Sequence, residues 1–508
     1  MLLTITTTQS SSFPSVSQYS IFRACAGDGN RRGKSISGSA RQCSSVTVRK
    51  YDQSVHSYFS AQESEIRPRC IVRPSSTADV SNVVSHLVKA NYEYGLGSIK
   101  FAIRSGGHAS FVRSANEPNG VTIDLRKLNS IHVTDDQNQV IVGAGASWGQ
   151  VYRKLDPLGL AIPGGRHSQV GVGGLTLGGG LSHFSGHVGL ACDNVDEYEV
   201  VLATGAIVRI KKEGSTHSDL YLALRGSGNN FGVVTEFTFR AFRQGHLWGG
   251  TLIHGPETNE QHLNTFFNFA SNPEPDPCAS LIHGFGMSAE RGSGFVNGIV
   301  YTKPTHEPVV IQPFLNLNPV YMNSLRELSL TELTQQQDAF NENGLCQVAI
   351  STTYYLSETL LTRTYELWLA SQESVKNLAG LVWSMTLQTI FPAIVAKSGF
   401  LQDAIPAYTA ERGSIIVAQL TGTWKDAKDS PAAEKAALKL ISDIEDAVED
   451  EKMQTGYLYL NYAHPGQDVF GDDSINNGQR KEFLQGVSKK YDGDGVFQRC
   501  VIGGLKLF

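Results

Sequence analysis

The chain has no apolar run approaching the ~20 residues that a membrane-spanning helix needs, so no stretch of it reads as a bilayer segment. Nor does it have a basic excess. Its 43 Lys and Arg stand against 48 Asp and Glu, a formal net charge of −5, which leaves no electrostatic footprint for nucleic acid. No Asn-x-Ser/Thr sequon occurs, a mild argument against secretion. The opening stretch "MLLTITTTQSSSFPSVSQYS" lacks a basic n-region and a sustained apolar core, so it does not read as a secretory signal. Cysteine is sparse and odd in number, seven in all, so at least one is unpaired. Cys25, Cys43 and Cys70 lie near the start, and one disulfide there stays open if the chain enters an oxidising compartment. The compartment is undetermined. No internal repeat is present, and neither Gly-x-x-x-x-Gly-Lys-Ser/Thr nor a clean Gly-x-Gly-x-x-Gly occurs, which disfavours a P-loop nucleotidase and a standard Rossmann protein.

Glycine, by contrast, is abundant: 51 of 508 residues, above the usual share of about 7%. Much of the excess falls between Gly95 and Gly232, in segments 104–110, 143–149, 164–180 and 225–232. Backbone N–H groups in such loops cradle a pyrophosphate without basic side chains. Several loops around one elongated dinucleotide explain the four segments; a β-rich domain with many tight turns is the alternative. The length allows two or three domains. Around the glycines, a helix with Val80, Val83, Val84, Leu87 and Val88 on one face precedes strands "IKFAIR", "VTIDL" and "QVIVGAG" and a helix "SWGQVYRKLDPLG". "YEVVLATGAIVRI" reads as a hairpin turning at Thr204-Gly205. From about Trp248 strands such as "WGGTLIHG" and "SIIVAQLTGTW" alternate with helices such as "PAAEKAALKLISDIEDAVEDE".

"RPRCIVRPSSTADV", "FAIRSGGH", "VTIDLRKLNSI", "VGVGGLTLGGGL", "GLACDNV" and "LRGSGNNFGVVTEF" occur in that order, and "YLYLNYAHPGQDVF" follows near the end. Together they resemble the vanillyl-alcohol-oxidase-type (PCMH) flavoproteins, and within them the berberine-bridge-enzyme-like, fungal FAD-linked oxidoreductases. The resemblance implies an α+β fold, in which a two-part FAD-binding domain (51–245) meets a substrate domain (246–452) with an antiparallel sheet covered by helices. A C-terminal segment (453–508) returns to the FAD-binding domain, and residues 1–50 are expected to be poorly ordered.

The resemblance also implies the cofactor and its contacts. FAD is expected to be bonded covalently through His108 alone, because the position where many relatives carry a second, cysteinyl link holds His167. Cys192 lies outside that position and reads as a buried small hydrophobe. Arg104, Ser105, Gly106, Gly107, Ala109 and Ser110 are expected to line the pyrophosphate and flavin, as are Gly173, Gly174, Gly179 and Gly180. Asp193 and Asn194 stand where the chain turns past the cofactor, and Gly232 and Val234 offer main-chain groups on the adenine side. Val170 occupies the position that governs oxygen access, and a small valine there favours an oxidase.

Catalysis needs a hydride acceptor and a base. Tyr459, Asn461 and Tyr462 match the family's aromatic element, with His464 in place of its terminal Asp, and Gln388 is expected on a strand facing the flavin. His464 reads equally as a base or a loop residue, while His254 and His283 read as structural. His183 and His187 lack a third ligand, so no metal is expected. The expected partners are a small-molecule substrate and O2, with no nucleic acid or membrane, in a monomer. The implied reaction is oxidation of an alcohol or amine-type carbon of a small secondary metabolite. A dehydrogenase, an oxidative cyclase, or a flavin-binding protein without turnover remain alternatives.

Overall fold

Short β-branched runs punctuated by glycine fill the first half of the chain, and each becomes a strand of four to eight residues. The computed structural model describes residues 4–7, 45–212, 214, 216–471 and 479–508. Cys70–Arg73 and Phe101–Arg104 flank Val121–Asp124 in parallel, and Thr4–Thr7 adds an antiparallel edge. The helix Thr77–Tyr94 carries the crossover, with Val80, Val83, Val84, Leu87 and Val88 buried and Ser76 capping its start. A second, antiparallel sheet orders Ile131–Val133, Gln139–Gly143, Val233–Arg240, Val195–Val201 and Ile207–Lys211. Its last two strands form the hairpin expected at Thr204-Gly205, where Gly205 has φ +82°.

The second half is one large antiparallel sheet. Its central order is Leu247–His254, Gly292–Tyr301, Ala279–Ser288, Val382–Ile390, Ile415–Trp424 and Cys346–Tyr355. The helices Asn259–Ala270, Glu358–Ser371 and Ser430–Asp450 cover one face. In the longest of them Ala433, Ala437, Leu440, Ile441, Ile444 and Val448 form the buried stripe.

Burial divides the chain between two cores. One gathers side chains from Cys70 to Leu247 with Val300, Leu328, Leu330 and Leu333 and others from Ala463 to Leu507; the second gathers side chains between Trp248 and Val448. A third cluster, including Leu181, Leu190, Phe391, Phe400 and Tyr459, joins them. The C-terminal residues are therefore part of the first core: Phe101 N–H donates to the Cys500 carbonyl, and Phe497 packs on Phe101. Beneath the large sheet His254, His262 and His283 are buried together, with His262 stacked on Phe295 and His283 on Phe266. Only His283 among them has a side-chain partner, Asn297 Oδ1 at 2.8 Å.

Two expectations change. Regular structure before Tyr51 includes the helix Ser45–Val55, because Tyr51 and Val55 form a small cluster with Ile71, and the strand Thr4–Thr7. Residues 8–44, with Cys25 and Cys43, lie outside the described residues. The stretch around His183 and His187, read as a loop, contains the short helix Ser185–Val188, and the two histidines face different partners, Ser280 and Thr302.

Glu63, in the helix Ala61–Glu65, braces the loop that follows His108. Its Oε1 accepts the Ser114 N–H at 2.5 Å, while Oε2 has no partner. Burial raises this carboxyl to about 8, against the opposing bonds from the Ser114 and Ala115 backbone. A native pKa above the unfolded one stabilises fully at acid pH and is lost as pH rises through the native value. Glu63→Gln keeps the acceptor without the charge. Its stability relative to wild type, from urea unfolding, is expected to grow by about 4 kcal/mol between pH 5 and pH 9.

Candidate active site

The strand Phe101–Arg104 runs into a loop whose main chain meets another loop at van der Waals limit. A Cβ on Gly171 would lie 2.3 Å from the Gly106 nitrogen, and one on Gly106 would lie 2.5 Å from the Gly171 nitrogen. Only glycine permits that approach. Ser105 Oγ pins it, donating to the Ala144 carbonyl at 2.6 Å and accepting the Gly173 N–H at 3.2 Å. Gly107, at φ +73°, then turns the chain toward His108.

His108 stacks on Phe59, ring centroids 4.0 Å apart and planes within 10°. Burial lowers its pKa to about 4, so at neutral pH the ring is uncharged and keeps a nitrogen lone pair. None of the main-chain N–H groups from Gly106 to Phe111, Ala109 and Ser110 included, donates within the described residues. A Cβ on Gly174 would meet nothing within 4 Å. Uncommitted N–H groups and open space beside a second loop are what an anionic pyrophosphate requires.

Other residues expected at the cofactor spend their side chains on the protein. The Arg104 guanidinium is buried, donates to the Ser54 and Ser57 carbonyls at 2.7 Å each and lies 3.5 Å over the Tyr58 ring. It satisfies carbonyls at the end of the helix Ser45–Val55. The Ser105 hydroxyl is likewise committed. Asp193 accepts from Ser398 Oγ at 2.5 Å and Phe400 N–H at 2.9 Å, and Asn194 donates to the Val188 and Leu190 carbonyls. Both tie the long loop to its surroundings. Gly173 faces Ala144 and Ser105, Gly179 faces Leu190, Phe400 and Tyr459, and Gly180 faces Ala191. Gly232 makes room for Val200 and Val201, and Val234 pairs with Val200 beside a bulge. Val170 is half-buried against the first core, its carbonyl accepting the Trp148 N–H.

The polar centre lies where the two cores meet. Gln388, on the strand Val382–Ile390, and Tyr462, on the C-terminal segment, meet Arg166 from the first unit. Arg166 Nη1 donates to Gln388 Oε1 at 2.5 Å, Arg166 Nη2 donates to Tyr462 Oη, and Gln388 Nε2 donates to the same Oη at 3.1 Å. Two N–H donors on one phenolic oxygen suit an atom that carries negative charge. Tyr459 differs. It is 1% exposed, its Oη accepts from Leu181 N–H and Asn461 Nδ2, and burial holds its phenol well above the usual range. Asn461 also donates to the Leu175 carbonyl at 2.9 Å, in space that Gly178 leaves. Tyr459 and Asn461 thus fasten the C-terminal segment to the long loop. His464 caps its own turn, its Nδ1 accepting the Gly466 N–H.

Arg166, in "GGRHSQVGVGG", carries no motif of its own; its place beside His167 is the one signal in the sequence that points to it. His167 lies 3.9 Å from Asp338, and burial with the charges of His108 and Arg166 lowers it to about 3. A cavity of about 130 Å³ adjoins the cluster, lined by Arg166, Ser182, His183, Ser280, Gln388 and Phe391. A larger one, about 280 Å³, is bounded by Phe400, Glu445, Tyr457 and Arg480 and touches none of the expected site residues. Cys192 is fully buried, as expected.

Residues 68–211 match the FAD binding domain family. Over 462 residues the chain is 30% identical to the FAD-dependent monooxygenase FUP4 of Fusarium proliferatum (strain ET1), across 89% of this chain and 87% of that protein. The chain belongs to a family of FAD-dependent oxidoreductases that includes FUP4. This flavoenzyme is also 32% identical to Oligopeptidase PhomG' of Diaporthe leptostromiformis, spanning 36% of that longer protein's length. In fold it is similar to the glucooligosaccharide oxidase of Acremonium strictum, with a TM-score of 0.69 at 20% identity, over 89% of this chain and 94% of that one. FAD suits the cradle just described: the loop 106–111 and Gly174 would hold its pyrophosphate, and His108 and the Arg166 cluster would meet its ring system.

Gly171→Ala is expected to destabilise the protein by about 1–3 kcal/mol and to lower the flavin bound per polypeptide. Thermal melting and the visible absorbance of purified protein measure both.

Proposed function

We propose that this flavoenzyme is an oxidase of a small secondary metabolite, oxidising an alcohol or amine-type carbon. Bound FAD supplies a two-electron acceptor that takes the hydride at N5 and is reoxidised by O2. The observation that carries the reading is the convergence of Arg166 and Gln388 on Tyr462 Oη, from opposite units, beside a cavity. Tyr462 Oη takes the proton leaving the substrate heteroatom, and the two N–H groups hold that oxygen in place. Tyr459 is too deeply buried to exchange its proton and serves as a strut. The valine at 170 supports oxygen access.

His108 holds the flavin by the single covalent bond. Its burial as an uncharged imidazole supports this, since only the neutral ring is a nucleophile. The glucooligosaccharide oxidase carries a 6-S-cysteinyl, 8α-N1-histidyl FAD; His167 cannot make the cysteinyl bond. The units divide near 245 and 452, as the two cores support. A monooxygenase reading follows from the name of FUP4 and differs in the fate of oxygen.

Denatured protein is expected to keep its yellow colour in the precipitate, and His108→Ala to release it into the supernatant. Colourless purified protein would overturn the assignment. Under anaerobic mixing with an oxidisable substrate, Tyr462→Phe is expected to slow flavin bleaching by about 100-fold with flavin content unchanged. In air, peroxide formed in step with product marks an oxidase, and label from ¹⁸O2 in product marks a monooxygenase.

A further inference from the structure

The Arg166 guanidinium is half-buried at the cavity wall, yet no carboxylate among the described residues lies within ion-pair distance of it. Its two bonded partners are the amide oxygen of Gln388 and Tyr462 Oη. Among the described residues, three of its five N–H donors remain uncommitted. Asp276 also lines the cavity, with its oxygens engaged by Tyr301 Oη at 3.0 Å and Cys278 N–H at 2.9 Å. Lys397 adds a second cation at the rim, donating to the Gly186 carbonyl. His183 is 5% exposed, bonds Ser280 through Nδ1, and has no partner at Nε2.

We propose that this cavity takes a ring-sized substrate bearing a carboxylate, which pairs with Arg166. This rests on the oxidase reading above and names the substrate class of the same site. The planar guanidinium presents parallel N–H groups that match the two carboxylate oxygens. The volume of about 130 Å³ is close to that which accepts one benzene ring, about 150 Å³. Phe269 and Phe391, edge to face at 5.6 Å, provide the apolar wall for such a ring. The carboxylate at Arg166 sets the ring beside Tyr462, so that one residue fixes both the substrate's charge and its orientation.

Benzoate and its uncharged isostere benzamide test this on the flavin-loaded protein, by calorimetry and by perturbation of the flavin absorption band. Benzoate is expected to bind at least about tenfold more tightly than benzamide. The preference is expected to fall below about threefold in Arg166→Gln, to survive in part in Arg166→Lys, and to persist in Lys397→Gln. Equal binding, no binding of benzoate, or a preference retained in Arg166→Gln overturns the proposal. The wild-type comparison needs no variant, so misfolding of one leaves it decisive. The covalent-flavin and bleaching experiments use neither probe, so either reading can fail without the other.

Discussion

The contact between the backbones of Gly106 and Gly171 is the constraint on which the site depends. It places two loops of distant sequence in register, held by one hydroxyl at Ser105. One loop carries His108 immediately beyond the contact, and the other carries Arg166 and His167 immediately before it. The distances among these three side chains are therefore set by main chain, which moves less than side chains do. Burial is the larger cause of the lowered pKa at both imidazoles, and His167 also registers the charges of His108 and Arg166.

Chemistry at the seam requires both units. Arg166 comes from the glycine-rich half, Gln388 from the large sheet, and Tyr462 from the segment that returns across both. Arg104 and Asn194 bond main-chain carbonyls within the glycine-rich half, whereas Asp193 reaches across the seam. Asp193 alone joins the long loop to the helix Gly399–Ala404 through Phe400 and Ser398.

Local pattern made much of the fold legible. The apolar stripe of Ser430–Asp450, the capped helix at Thr77 and the hairpin at Gly205 all express periodicity or turn chemistry within a few residues. The resemblance located the cofactor loops and the aromatic element, because motifs report position along the chain. They do not report side-chain direction: the side chains of Arg104 and Asp193 bond Ser54, Ser57, Ser398 and Phe400. Arg166 escaped for the opposite reason: a lone cation in a glycine loop has no period, and its partners lie more than two hundred residues away. The helix at Ser45 depends on burial against Ile71, a tertiary contact that its weak local pattern does not announce.

The first core is closed from the far end of the chain, by side chains between Ala463 and Leu507. The interior of the glycine-rich half is therefore complete only once the segment Ala463–Leu507 has folded back onto it, so a nick or truncation there would open the core that carries the cofactor loops.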